Sequence, residues 1–149
     1  MPCQAHLGEV QSAKAEFDLR GVSIVVVSFA ERSKLVYYHE KHQWPFTILA
    51  DPKRTAYQAF ALKRLAWWQV FSAATLKLYL RLFCEGMKRE DYGKQDIYQS
   101  GGDFLLDRGG NILFAHRGQD PADRPSAEKL LLEIDRVVTK TQDGSSSGK

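Results

Sequence analysis

Gly21-Val22-Ser23-Ile24-Val25-Val26-Val27-Ser28-Phe29 is the stretch that decides the fold. It is dense in β-branched residues and shows almost no polar alternation. A run of this kind reads as a strand buried on both faces, as in a parallel sheet. Gly21 in front of it ends a helix. That helix is marked by Cys3, Leu7, Val10, Ala13 and Phe17, spaced three or four apart over residues 3–19 so that they share one face.

Downstream of the run the chain alternates. Residues Ala30 to Gln43 read as a charged helix with Leu35, Tyr38 and His42 facing inward. Pro45 to Asp51 reads as a short strand, and Asp51-Pro52 turns the chain into a helix through Thr55, Tyr57 and Phe60. A long helical segment is expected from Leu62 to about Arg89, with a loop over residues 90–101. Asp103–Asp107 and Asn111–Ala115 flank Arg108-Gly109-Gly110, which is a strong hairpin signal. A last helix carries Leu130, Leu131, Ile134, Val137 and Val138 on one face. These elements make one domain over residues 1–140, followed by a Ser/Gly-rich tail at 141–149 expected to be disordered. Strand–helix crossovers, then an antiparallel hairpin and a closing helix, describe a mixed α/β sheet with helices on both faces.

The chain has 149 residues, 44% of them hydrophobic and 26% charged, with a net charge of +3. This is a globular composition in which the basic residues are scattered, so nucleic acid is not an expected partner. Residues 1–20 are amphipathic and lack the apolar core of a signal peptide. The apolar stretch Leu65 to Leu76 is too short to span a bilayer. A cytoplasmic location is the resulting expectation, with no membrane role. Two cysteines, Cys3 and Cys84, allow one disulfide at most. Neither they nor His39, His42 and His116 have metal-ligand spacing, so no metal and no cofactor are expected.

Cys3 follows Pro2 at the opening of a helix, where backbone N–H groups and the helix dipole stabilise a thiolate. It is the expected catalytic residue. His6 lies one turn further along and is close enough to modulate the thiol. Cys84 is expected to be a small core residue. The segment Lys63 to Arg89, with Trp67 and Trp68 among its basic residues, reads as a packing or dimer helix.

Four segments carry a family resemblance. They are Pro2-Cys3-Gln4-Ala5-His6-Leu7; Ala50-Asp51-Pro52 leading to Tyr57; Gln99-Ser100-Gly101-Gly102-Asp103-Phe104-Leu105-Leu106-Asp107; and Gly110-Asn111-Ile112-Leu113 with the turn Ala122-Asp123-Arg124-Pro125. On these the chain resembles the peroxiredoxin-like branch of the AhpC/TSA antioxidant proteins, in particular the peroxiredoxin-like 2 group, within the thioredoxin-like superfamily. The resemblance implies a thioredoxin-like mixed sheet flanked by helices, with a helical insertion at about 62–89. It implies that Cys3 matches the second cysteine of a Cys-x-x-Cys (or Sec-x-x-Cys) site, and that Gly101 and Gly102 lie beside that site. Neither the first redox residue nor the strand that precedes the cysteine helix in the family is in this sequence. The expectation is therefore a fragment truncated at its N-terminus, in its sharper version a selenoprotein fragment, with impaired activity as written. The missing strand would leave open edges at 22–28 and 103–107, and burying each of its large side chains would have contributed roughly 1.5–3 kcal/mol.

The implied function is thiol-based antioxidant oxidoreduction, acting on a peroxide or protein disulfide. A thiol electron donor of thioredoxin or glutathione type completes the cycle, and a homodimer is a candidate assembly. The alternative is a non-catalytic thioredoxin-like module that binds through a sheet edge or the Trp67/Trp68 helix.

Overall fold

The computed structural model describes residues 2–70, 73–84, 96, 98–120 and 122–145, with no side-chain description at 2, 3, 67, 69, 74, 75, 78, 79, 82, 83 and 140–145. Its elements in chain order are α1 (Pro2–Ser12), α2 (Lys14–Leu19), β1 (Val25–Ser28), α3 (Arg32–His42), β2 (Thr47–Ala50), α4 (Thr55–Ala59), α5 (Trp67–Val70), α6 (Ala73–Cys84), β3 (Gly102–Leu106), β4 (Ile112–Arg117) and α7 (Ala127–Ser145). The order is the mixed α/β succession expected from the sequence. Among the described residues no helix is long and apolar enough to cross a membrane.

The sheet comes in two halves. β1 pairs with β2 in parallel, Val25 opposite Thr47 through Ser28 opposite Ala50. β3 pairs with β4 antiparallel, Gly102 opposite Arg117 through Leu105 opposite Phe114. Among the described residues no strand joins β1 to β3. The open edges expected at 22–28 and 103–107 are thus present.

Local chemistry explains most boundaries. Gly21 has φ +68°, a left-handed conformation that costs glycine nothing, and its N–H caps the Asp18 carbonyl at 2.9 Å. The Asp51 carboxylate accepts from the N–H groups of Thr55 and Ala56, both at 2.8 Å, which satisfies the first donors of α4. Asp107 accepts from the backbone of Gly109 and Asn111 and so closes the hairpin turn.

Three expectations need correction. The helix over 3–19 is broken at Ala13 into α1 and α2. The long helix over 62–89 does not begin at Leu62, because Ser100 N–H bonds to Lys63 C=O and Arg64 bridges to Gln99. Residues 62–66 are thereby tied to the strand approach, and helix starts only at Trp67; residues 85–89 lie outside the described residues. Helix α7 is assigned through Ser145, into the stretch read as tail, while 146–149 lie outside the description.

Two packed groups form the core. Val10 and Phe17 from α1 and α2 meet Ala127, Leu131 and Ile134 of α7, with Val22, Ile24 and Leu105 against them. Tyr38, Trp44 and Phe46 form the second, reached by Leu7, Ile24, Val26 and Ile48. Here Trp44 stacks on Phe46 with ring centroids 5.4 Å apart and on His42 at 5.6 Å. The first helices thus serve both halves of the sheet.

Candidate functional site

Helix α1 begins at Pro2, whose fixed φ suits a first helical position and whose missing N–H costs nothing there. Cys3 lies in the first turn, which contains no acidic residue to oppose a thiolate. Its side chain lies outside the described residues. One turn on, His6 is well enclosed, with 11% of its side chain exposed. Its Nε2 lies 3.0 Å from Oδ1 of Asp103, the second residue of β3. The other carboxylate oxygen, Oδ2, accepts from Arg124 Nη1 at 3.1 Å. Asp103 thus holds an imidazole on one oxygen and a guanidinium on the other.

Burial works against the charge on Asp103. The His6 hydrogen bond and the nearby Arg124 guanidinium outweigh it and hold the carboxyl below the usual carboxylate range. Arg124 is delivered by a compact turn. Asp123 Oδ2 accepts from Gln119 N–H at 2.8 Å, and Asp123 Oδ1 lies 3.0 Å from His116 Nε2. The guanidinium then lies over Gly101, where a Cβ would meet Nη2 at 1.7 Å. At Gly102 a Cβ would meet the His116 carbonyl oxygen at 2.6 Å. Glycine is required at Gly102, where the neighbour is main chain that has no room to give, whereas at Gly101 the neighbour is the far end of a flexible side chain that can move aside. Glu9 Oε1 accepts the Ala127 N–H at 2.9 Å, so α1 also caps α7.

The His6–Asp103 contact brings the start of α1 to the start of β3, next to Gly101 and Gly102. Among the described residues nothing hydrogen-bonds to the second ring nitrogen of His6, Nδ1. An imidazole anchored through one nitrogen by a carboxylate has a fixed orientation and can exchange a proton at the other.

Asp103 and Arg124 escaped the sequence reading as site residues. The available signal was a lone carboxylate opening an otherwise apolar strand, Gly102-Asp103-Phe104-Leu105-Leu106. Cys84 is not the core residue expected: it is free and exposed. It continues at four-residue spacing a stripe of α6 whose other members, Leu76 and Leu80, are 62% and 59% exposed. Trp68 is 63% exposed, and the Trp67 side chain lies outside the described residues. His116 is engaged by Asp123 and His42 by the aromatic stack. Among the described residues no three His, Cys, Asp or Glu side chains are gathered as a metal site would need.

A family model described as AhpC/TSA antioxidant enzyme matches residues 9–120. No curated protein matches the chain. The model covers β1 to β4 and begins just after Cys3 and His6, so it bears on the scaffold rather than on the thiol. Three quarters of the chain lies within that match, and the chain belongs to the AhpC/TSA antioxidant enzyme family, a thioredoxin-like scaffold.

Proposed function

We propose that the chain is a thiol-based antioxidant oxidoreductase in which Cys3 is the resolving sulphur and His6 its positioned proton acceptor. The observation that carries this reading is the 3.0 Å contact between His6 and Asp103. It fixes an imidazole one helical turn from Cys3, on the same face of α1.

In the reaction a thiolate or selenolate attacks a peroxide, the O–O bond breaks, and an alcohol or water leaves with a proton. The attacking atom is left as a sulfenic or selenenic acid. Cys3, having passed its proton to His6, attacks that atom; a bond to its sulphur forms and hydroxide leaves, taking up a proton as water. A dithiol or glutathione-type donor then reduces the bond with two electrons. In the family pattern the first redox atom is a second Cys or Sec that partners Cys3. The step read directly at Cys3 is mixed-disulfide formation, in which its thiolate attacks a disulfide, the S–S bond breaks and the other sulphur leaves as a thiolate.

The test is oxidised glutathione added to the chain, to Cys3→Ser and to Cys84→Ser, with the adducts mapped by mass spectrometry between pH 5 and 9. The expected result is a fast adduct at Cys3 that persists in Cys84→Ser and forms more slowly at neutral pH in His6→Asn. Adduct formation at Cys84 alone, or a Cys3 rate no faster than that of an unstructured cysteine peptide, overturns the reading.

A further inference from the structure

The charge of the chain is unevenly placed. Residues 62–84 hold four of its 21 basic residues, Lys63, Arg64, Lys77 and Arg81, and none of its 18 acidic ones. The remainder, with 17 basic and 18 acidic residues, is close to neutral, so the net charge of +3 belongs to this one segment. The segment is fixed at its start: Ser100 N–H bonds to Lys63 C=O, Arg64 meets Asp96 at 3.2 Å, and Leu65 and Val70 are buried. Trp68, between those two, keeps most of its surface exposed.

Ala73, Leu76, Lys77, Leu80, Arg81 and Cys84 of α6 are all exposed. At about 100° per residue they fall within a single arc of about 140°. Ala73, Leu76, Leu80 and Cys84 form an apolar band along it, and Lys77 and Arg81 lie together on one border of that band. Leu76 also borders the space between the two half-sheets, whereas Leu80 and Trp68 do not, so these two present apolar surface to the outside. The sequence of α6 contains no carboxylate.

That combination selects its occupant. A second copy of the same face would bring Lys77 and Arg81 against their own kind, with no carboxylate on the helix to answer them. A free phosphate or a polyanion pairs with the cations but leaves Leu80 and Trp68 in water. A phospholipid surface with anionic headgroups satisfies both parts at once. The cations meet the headgroups, while leucine and tryptophan reach the boundary of the acyl chains. Cations that border an apolar band, with a tryptophan close by in the chain, are the pattern of a helix lying in such an interface. The length fits this as well: twelve residues make a helix of about 18 Å, which lies along a surface and cannot cross a hydrocarbon core of about 30 Å.

We propose that the exposed face of α6, together with Trp68, is a docking surface for anionic phospholipid membranes. The helix lies flat on the lipid, with Leu80 and Trp68 entering it and Lys77 and Arg81 at headgroup level. This departs from the expectation of no membrane role, which rested on the length of the apolar stretch; docking on a surface needs no span. It is independent of the chemistry at Cys3, and it is read by partitioning rather than by turnover.

The experiment floats the full chain, kept reduced, with vesicles of phosphatidylcholine alone or mixed equally with phosphatidylserine. The expected result is binding to the mixed vesicles only, weakening as salt is raised. Lys77→Glu is expected to lower partitioning about 25-fold, at about fivefold per unit of charge near such a surface. Leu80→Ser, which leaves the charge alone, is expected to lower it about tenfold or more, the worth of an apolar side chain taken out of water. Both positions are exposed, so urea melts of the two variants should match the parent's, which separates loss of docking from loss of fold. Equal binding to both kinds of vesicle, or binding to neither, overturns the proposal. Binding indifferent to Leu80→Ser makes the face a plain cationic patch and overturns it too. So does a dimer in lipid-free sedimentation that Leu80→Ser dissolves, which makes the face a contact between copies.

Discussion

Replacing Asp103 by Asn probes the link between the first helix and β3 without changing its shape. The carboxamide keeps one acceptor oxygen and loses the charge. In the native protein both oxygens are engaged, by His6 at 3.0 Å and Arg124 at 3.1 Å. All three side chains are well enclosed, with 11%, 16% and 19% exposure for His6, Asp103 and Arg124, so solvent screening is weak. A hydrogen bond to a charged group contributes about 1.5–3 kcal/mol and a neutral one about 0.5–1.5 kcal/mol. Losing one of the former and downgrading the other gives a cost of about 3 kcal/mol. With a urea slope of roughly 2 kcal/mol/M, the unfolding midpoint drops by about 1.5 M at pH 7. The pH dependence has a defined sign. Asp103 has a folded value held below its ordinary 3.8. Its contribution is therefore complete above that ordinary value and is lost as pH falls through the lower folded one. Urea melts of both proteins from pH 7 down to pH 3 should show the two curves converging at the acid end. A variant within about 0.3 kcal/mol of the parent at pH 7, or a gap that stays constant to pH 3, refutes the account of the Asp103 contacts.

Two further outcomes follow from packing. Phe17 is 3% exposed between α2 and α7, so Phe17→Ala should cost about 3–5 kcal/mol in the same denaturant assay. Gly101→Ala and Gly102→Ala should separate: the first meets only the mobile end of Arg124, whereas the second meets a carbonyl of β4. Thermal melts should therefore show Gly102→Ala as the more destabilised of the two, with Gly101→Ala chiefly displacing Arg124 from Asp103.

Much of the fold was legible because its signals are local. Val25 to Val27 announce a strand by side-chain shape, although the burial on both faces expected of it is not found and Val25 is exposed; Gly109-Gly110 announces a hairpin by backbone freedom, and Asp51 a helix start by its carboxylate. Gly21 marks a helix end for the same kind of reason. The site was legible only in part. Cys3 and His6 are neighbours on one helix, so spacing finds them. Asp103 lies 97 residues from His6 and 21 from Arg124, and no local pattern encodes such a meeting. The misreading of residues 62–66 has the same origin. Their sequence tolerates helix, and only the pairing of Lys63 and Arg64 with residues 99 and 100 excludes it. Cys84 misled because an apolar stripe on a helix usually faces a core, and the stripe containing Leu76 and Leu80 does not.

The cap that Glu9 places on Ala127 spans 118 residues. Val10 and Phe17 likewise find their main packing partners at Leu131 and Ile134. On the ribosome, then, the opening helices emerge with neither partner in existence. At ~5–20 residues per second they wait about 6–24 s before the closing helix is made. For that interval the nascent chain carries a bare apolar stripe that chaperones can hold, and a ribosome stalled before Ala127 releases a product that has the Tyr38–Trp44–Phe46 group but lacks the α7 side of its other core.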